Sequence, residues 1–457
     1  RDAINQGVRD ASGTPKPMPH GIYVDDDIYL DVAEVCRFEQ AIAASIEAIF
    51  ILLGDSNTEL RQDPISWDKL YELLVAPVNT ILGLILNLRK LTAGTPRDFV
   101  SATISLLQTT WGPHRRSFKA KEAEELTGKL NRIAFSAPWL KFLLGNIYVS
   151  LAEALRLNNS HLIRTSQRFR DALRTIRTAT ASPSGVAKRT FHTGATARSV
   201  HGCPLLHHIG TDLRRDLRLI ERALSSSRCP TSCPIAYLIP RIPFGVARSD
   251  SSLSAAGGYC PEAKFWWYFE WPTDVRARTI KYIATRSNPT LISINSLEYA
   301  AQLITMMGCH LHHLKTRATR LDPHPLYLLE CDNTAGESWL TKGCTSSAAR
   351  RDLARLQAAL LLDQGAGYRF GRVDTKTNVI ADGISRIQCE TSLTHEFPLL
   401  LAQAPSLRGC RRFRPNADLI SSIVDVLLRT GCLDPLTASK QLLIDPGRFT
   451  SYPGATT

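Results

Sequence analysis

Leu326-Tyr327-Leu328-Leu329-Glu330-Cys331 runs directly into Asp332-Asn333-Thr334-Ala335. A short apolar run that stops at an acid reads as a buried strand with a carboxylate at its end. Downstream, the spacing predicts a helix over Ala348 to Leu362, a strand over Tyr368 to Val373 and a short helix over Asn378 to Arg386. Upstream, Ile242 to Ser252 and the aromatic-rich Phe265-Trp266-Trp267-Tyr268-Phe269 predict strands, and Asn295 to about Lys315 predicts a helix. The order β-β-α-β-α-β-α makes one compact α/β domain.

Four acids sit at informative places in that domain. Asp250 lies on the first strand in Arg248-Ser249-Asp250-Ser251-Ser252, followed by Gly257-Gly258. Glu298 opens the first helix in Ile294-Asn295-Ser296-Leu297-Glu298, Asp332 ends the buried strand, and Asp382 lies on the final helix in Asn378-Val379-Ile380-Ala381-Asp382-Gly383-Ile384-Ser385-Arg386. Any one such acid is most often a cap or turn residue. Carboxylates at neighbouring strand ends and on adjoining helices can converge, and converging carboxylates repel unless a cation offsets them. Oxygen ligands suit Mg²⁺, and two such ions about 3.5–4 Å apart activate a water and stabilise the leaving oxygen in phosphodiester cleavage.

The series SDSS…GG, INSLE, ECDNTA followed by KGCTSS, and NVIADGISR resembles the type 1 RNase H domain of retrotransposons, closest to tyrosine-recombinase (DIRS-like) elements. The resemblance covers about residues 236–390. It implies a ribonuclease-H-like fold in which Asp250, Glu298, Asp332 and Asp382 hold two Mg²⁺ or Mn²⁺ ions and carry the chemistry. One departure stands out. The family's His before the last helix, a helper in proton transfer or product release, aligns with Arg372, and no His lies between Asp332 and Asp382. A guanidinium cannot shuttle protons near neutral pH, so slower turnover is expected.

A second resemblance lies near the N-terminus. Tyr23-Val24-Asp25-Asp26, flanked by strand formers, predicts a strand–turn–strand hairpin and resembles the YxDD palm motif of reverse transcriptases. There Asp25 and Asp26 would be metal ligands. Leu82-Gly83-Leu84 resembles the primer-contacting hairpin, and Leu126-Thr127-Gly128-Lys129-Leu130-Asn131 a thumb helix. A palm needs a third carboxylate on an upstream strand, and residues 1–22 offer only Asp2 and Asp10 without strand context. The chain is therefore expected to be the C-terminal part of a reverse transcriptase joined to RNase H, without polymerisation on its own and with the missing N-terminal polymerase part as a partner.

Composition agrees with a nucleic-acid partner. Lys+Arg number 55 against 42 Asp+Glu, a formal net charge of +13. An excess of this size suits a polyanion. The most basic stretch, 156–228, holds Arg164, Arg168, Arg170, Arg174, Arg177, Arg214, Arg215 and Arg218 as expected phosphate contacts. Hydrophobic content of 44% and charged content of 21% exclude a wholly disordered or collagen-like chain. The 11 cysteines are scattered, as in a reduced intracellular protein, and no signal peptide or membrane span is expected. Cys203, His207, His208, Cys229 and Cys233 have unusual gaps for zinc, and Trp266, Trp267 and Trp271 are expected to pack rather than stack on bases.

The expected organisation is a partial palm over 1–97, a helical thumb and basic connection over 98–235, the RNase H-like α/β domain over 236–390, and a linker with a helical tail over 391–457. The expected activity is metal-dependent hydrolysis of the RNA strand of an RNA–DNA hybrid, selected through 2′-OH groups and groove shape. Two rivals remain: a non-catalytic nucleic-acid-binding relic, and a DNA-cutting resolvase or transposase of the same fold.

Overall fold

The computed structural model describes residues 20–23, 26–29, 37–53, 77–165, 205–285, 292–319, 322–343, 348–362, 365–429 and 433–451. The chain divides into two compact units, Arg1–Asn79 and Thr80–Thr457. In the first, β1 (His20–Tyr23) pairs antiparallel with β2 (Asp26–Tyr29), with Tyr23 opposite Asp26. Helix α1 (Arg37–Leu53) follows.

Next along the chain comes a small sheet in the order β3-β4-β5-β8, formed by β3 (Val78–Ile81), β4 (Leu84–Asn87), β5 (Thr92–Gly94) and, much later in the chain, β8 (Ser232–Pro234). Between β5 and β8 come α2 (Arg97–Thr109), β6 (Ser117–Phe118), α3 (Ala120–Ser136), α4 (Gly145–Thr165), β7 (His207–His208) and α5 (Thr211–Ser225). Helix α5 is amphipathic: Leu213, Leu217, Ile220 and Leu224 recur on its buried stripe.

The main sheet has seven strands in the order β13-β12-β9-β10-β11-β14-β15. Strands β9 (Gly245–Ser251), β10 (Ala255–Cys260) and β11 (Phe265–Glu270) form an antiparallel meander. Helices α6 (Thr273–Thr285) and α7 (Ile294–Thr316) lead to β12 (Leu326–Cys331), which lies parallel to β9. Helices α8 (Thr334–Lys342) and α9 (Ala348–Leu362) lead to β13 (Gly367–Arg372), parallel to β12. The short α10 (Val379–Ser385) closes the series. The chain thus adopts a mixed α/β fold, with a mixed parallel and antiparallel sheet in its second unit. The sequence reading missed β10, because Ala255-Ala256-Gly257-Gly258 lacks the β-branched signature of a strand.

Residues beyond 391, expected as a linker and tail, are built into this sheet. After α11 (Leu393–Gln403), β14 (Arg411–Pro415) pairs parallel with β11. Helices α12 (Ala417–Leu428) and α13 (Pro435–Ile444) then lead to the edge strand β15 (Gly447–Thr450), antiparallel to β14. The apolar Phe413, Leu419, Ile423, Val426 and Leu442 carry this integration, since all are buried in the main core.

That core is continuous from Val100 in α2 to Leu442 in α13 and fills one face of the sheet beneath α7 and α9. A smaller core lies on the opposite face, where Tyr259, Trp266 and Tyr268 meet Ile384, Ile387 and Phe397. Trp266, Trp267 and Trp271 are fully buried. Trp267 Nε1 donates to Thr305 Oγ1 and Trp271 Nε1 to Ser251 Oγ, both at 3.0 Å. Among the described residues no helix is long and apolar enough to cross a membrane.

Candidate active site

The site forms where β9 and β12 end and α7, α8 and α10 approach them. Burial alternates along β9, which puts Arg248 and Asp250 on one face and Ala247, Ser249 and Ser251 on the other. Arg248 lies opposite Glu330 in the β9–β12 register, and its Nε donates to Glu330 Oε2 at 2.8 Å. This pair fixes the register two residues short of both Asp250 and Asp332.

Asp250 lies opposite Gly257 of β10. A Cβ on Gly257 would fall 2.3 Å from Ile384 Cγ2 and 3.0 Å from Ser385 N, so only glycine lets α10 settle on the sheet here. The close approach lets Ser385 Oγ donate to Asp250 Oδ2 at 2.6 Å. Asn378, buried at the start of α10, adds a bond from Nδ2 to the Ser249 carbonyl at 3.3 Å.

Asp332 immediately precedes the N-cap of α8. Asn333 Oδ1 accepts from the amides of Ala335 at 2.8 Å and Gly336 at 3.1 Å, so the helix start is held beside the acid. Asn333 Nδ2 donates to Asn295 Oδ1 at 2.8 Å and so ties α8 to the first turn of α7, which carries Glu298. Helix α7 itself starts at Ser293, whose Oγ accepts from Ser296 N at 3.3 Å.

The electrostatics show which acids face one another. Burial raises Asp250 above the usual carboxylate range; the Ser385 bond opposes this, and the charges of Asp332 and Asp382 reinforce it. Burial pushes Glu298 up to about 8, against a hydrogen bond from Asn333 and with further pressure from Asp332 and Asp250. Glu298 Oε2 is buried and accepts no hydrogen bond. A lone buried carboxylate oxygen is costly and calls for a cation or a proton.

Asp382 is the exception in orientation. Arg386, one helical turn on, donates from Nε to Asp382 Oδ1 at 2.6 Å, and its side chain is 71% exposed. Asp332 thus acts on both Asp250 and Glu298, while Asp382 acts on Asp250 with its Oδ1 held by Arg386 of its own helix. Among the described residues no three His, Cys, Asp or Glu side chains are gathered as a ready-made metal site. The donor set, all oxygen with one unsatisfied buried atom, nevertheless fits a hard divalent cation in kind.

The remaining sequence candidates fall elsewhere. Asp26 begins β2; Asp25 lies outside the described residues, as do Arg168, Arg170, Arg174, Arg177 and Cys203. Arg164 lies in the last turn of α4. On α5, Arg214 donates to the carbonyls of Pro113 and, at 2.7 Å, Arg115, while Arg215 pairs with Asp212 at 3.1 Å and Asp352 at 3.6 Å. Both are thus engaged by the protein; Arg218 is exposed, beside a cleft lined by Trp111 and Glu221. Arg372 is exposed at the end of β13, in register with Cys331 and so one residue from Asp332. His207 is held by Asn158 at 2.8 Å, in keeping with a structural role.

Sequence reasoning missed Ser385, Asn333 and Asn295 as positioning groups. Each stands inside a motif, within four residues of one of the acids, and that adjacency was the available signal, although the acid Ser385 holds is the distant Asp250.

No protein-family model matches the chain, and no curated protein matches it. A solved structure, a foamy viral protease-reverse transcriptase in complex with double-stranded DNA, is similar at 13% identity with a TM-score of 0.25. The match covers 78% of this chain and 46% of that one, so the chain spans less than half of that protein. A score this low carries no argument about function.

Proposed function

We propose that this chain is a retroelement-derived reverse transcriptase/RNase H fragment whose α/β domain hydrolyses the RNA strand of RNA–DNA hybrids with divalent metal. The observation that carries the reading is the buried Glu298 Oε2, which accepts no hydrogen bond and lies within electrostatic reach of Asp250 and Asp332. The four acid motifs in one chain order support it, and the kinship to DIRS-like elements rests on those motifs.

Bound Mg²⁺ or Mn²⁺ would supply an activated water and offset charge on the leaving oxygen. Asp250 and Asp332 present carboxylates from fixed strand ends, and Ser385 holds the orientation of Asp250. Glu298 would contribute its buried oxygen, and Asp382 would join if its pair with Arg386 opened. Arg372, in place of the family's His, can hold a phosphate but moves no proton.

The test is cleavage of an end-labelled RNA–DNA hybrid by the 457-residue chain in Mg²⁺, with Asp332→Asn alongside. RNA-strand cutting that vanishes in the variant supports the proposal. Intact hybrid in both, with salt-sensitive binding retained, favours a non-catalytic nucleic-acid-binding relic. That second reading draws on the Asp382–Arg386 pair and on Arg372.

A further inference from the structure

The C-terminal hairpin of the main sheet carries a concentration of cations that the four-acid site does not use. Arg411 and Arg414 of β14 and Arg448 of β15 are exposed, and Lys264, Lys315 and Arg408 are exposed on neighbouring segments. Phe413 lies opposite Phe449 and Arg414 opposite Arg448, so the two phenylalanines share one face and the two arginines the other. Lys315 Nζ and Arg411 Cζ each stand 5.1 Å from the centroid of Phe449, which anchors both cations at the rim.

Compensation is scarce. Glu390 takes a two-pronged bond from the buried Arg412, both contacts at 2.6 Å, and Arg414 reaches the same carboxylate at 3.2 Å. Arg448 and Arg411 have no acidic partner among the described residues. Like charges directly opposite each other in a sheet are destabilising. Guarding a sheet edge against pairing with another chain needs only an isolated charge, not a facing arginine pair. Two guanidiniums on residues about 5 Å apart can instead grip one phosphate between them.

We infer that the β14–β15 edge is a second contact surface for the phosphate backbone of a nucleic-acid duplex, reaching the same duplex that the carboxylate site acts on. The inference rests on the proposed function for the identity of the polyanion. Four strand spacings separate β9 from β15, and the Arg411 row is offset along the strands from the Asp250 row. At about 4.8 Å per spacing, the surface lies roughly 20 Å from the acids. A duplex advancing about 3.4 Å per base pair bridges that span with roughly six base pairs.

The experiment is equilibrium binding of an RNA–DNA hybrid to the full chain in EDTA, by fluorescence anisotropy across a salt series. Arg411→Gln/Arg414→Gln/Arg448→Gln is expected to lower the log–log salt slope by about 2–3 and to weaken binding at least about tenfold. Arg448→Gln alone, which removes no ion pair among the described residues, is expected to lower the slope by about 1. Hybrids shorter than about six base pairs are expected to lose the difference between wild type and variants. Wild-type slopes in both variants overturn the inference, as does an absence of hybrid binding by the wild-type chain. Failure of the hydrolysis reading shows separately, as uncut hybrid in Mg²⁺ with the slope changes intact.

Discussion

Ser385 Oγ donates a 2.6 Å hydrogen bond to Asp250 Oδ2, joining the last helix of the α/β domain to its first strand. The contact exists because Gly257, opposite Asp250 in the sheet, leaves the space that Ile384 and Ser385 occupy. The hydrogen bond that orients the first acid thus depends on a residue that carries no chemistry itself.

Gly257→Ala should therefore cost roughly 1–3 kcal/mol in denaturant unfolding through overpacking. It should also lower hybrid cleavage by displacing Ser385 and Asp382 together. Ile384→Ala in the same chain should recover part of the stability, giving a non-additive pair in a double-mutant cycle. Additive losses would show that α10 does not rest on Gly257.

A buried ion network joins α5 to α9. Arg355 NH2 meets Asp216 Oδ1 at 2.5 Å with both side chains nearly fully buried, and Asn146 Nδ2 donates to Asp216 Oδ2 at 2.6 Å. Arg355→Met strands Asp216 in the interior and should destabilise the chain by about 3–5 kcal/mol. Asp216→Leu/Arg355→Met should be less costly than Arg355→Met alone, because the stranded carboxylate is gone and Asp352 keeps Arg215 at 3.6 Å. Urea unfolding of the two variants decides it.

His310 on α7 is buried and held near Leu442, and burial lowers it from 6.5 to about 4. The unfolded chain binds the proton more readily, so this group's stability is fully present above pH 6.5 and is lost as pH falls toward 4. The loss should reach on the order of 3 kcal/mol at the acid end. Unfolding free energies of wild type and His310→Leu, compared from pH 7.5 down to 4.5, should converge toward acid. A constant gap would show that His310 titrates alike in both states.

Arg372 stands where the resembled family has a histidine, exposed and one residue from Asp332 in the sheet register. If the chain cleaves hybrid, Arg372→His should raise turnover about tenfold or more and introduce an acid limb near the imidazole range in the pH–rate profile. Equal turnover would place proton transfer elsewhere.

Much of the candidate site was legible because each acid sits in its own local motif: Asp250 on an alternating strand, Glu298 just past a helix's first turn, Asp332 at a strand end, Asp382 on a short helix. Period and propensity are local, so they reveal which element carries each acid. They say nothing of which way Asp382 turns, and the Arg386 pairing that draws it to its own helix follows from side-chain geometry.

The sequence by itself determined the α/β class and most of its elements, without β10, α6 and α8, together with the four acids and the excess of positive charge. Only the tertiary structure decided that residues 411–450 extend the sheet, that Arg214 and Arg215 are spent on protein contacts, and that Gly257 makes room for Ser385. These depend on segments far apart in the chain meeting at contact distance. Packing sets such meetings, and packing is a property of the whole core rather than of any stretch within it.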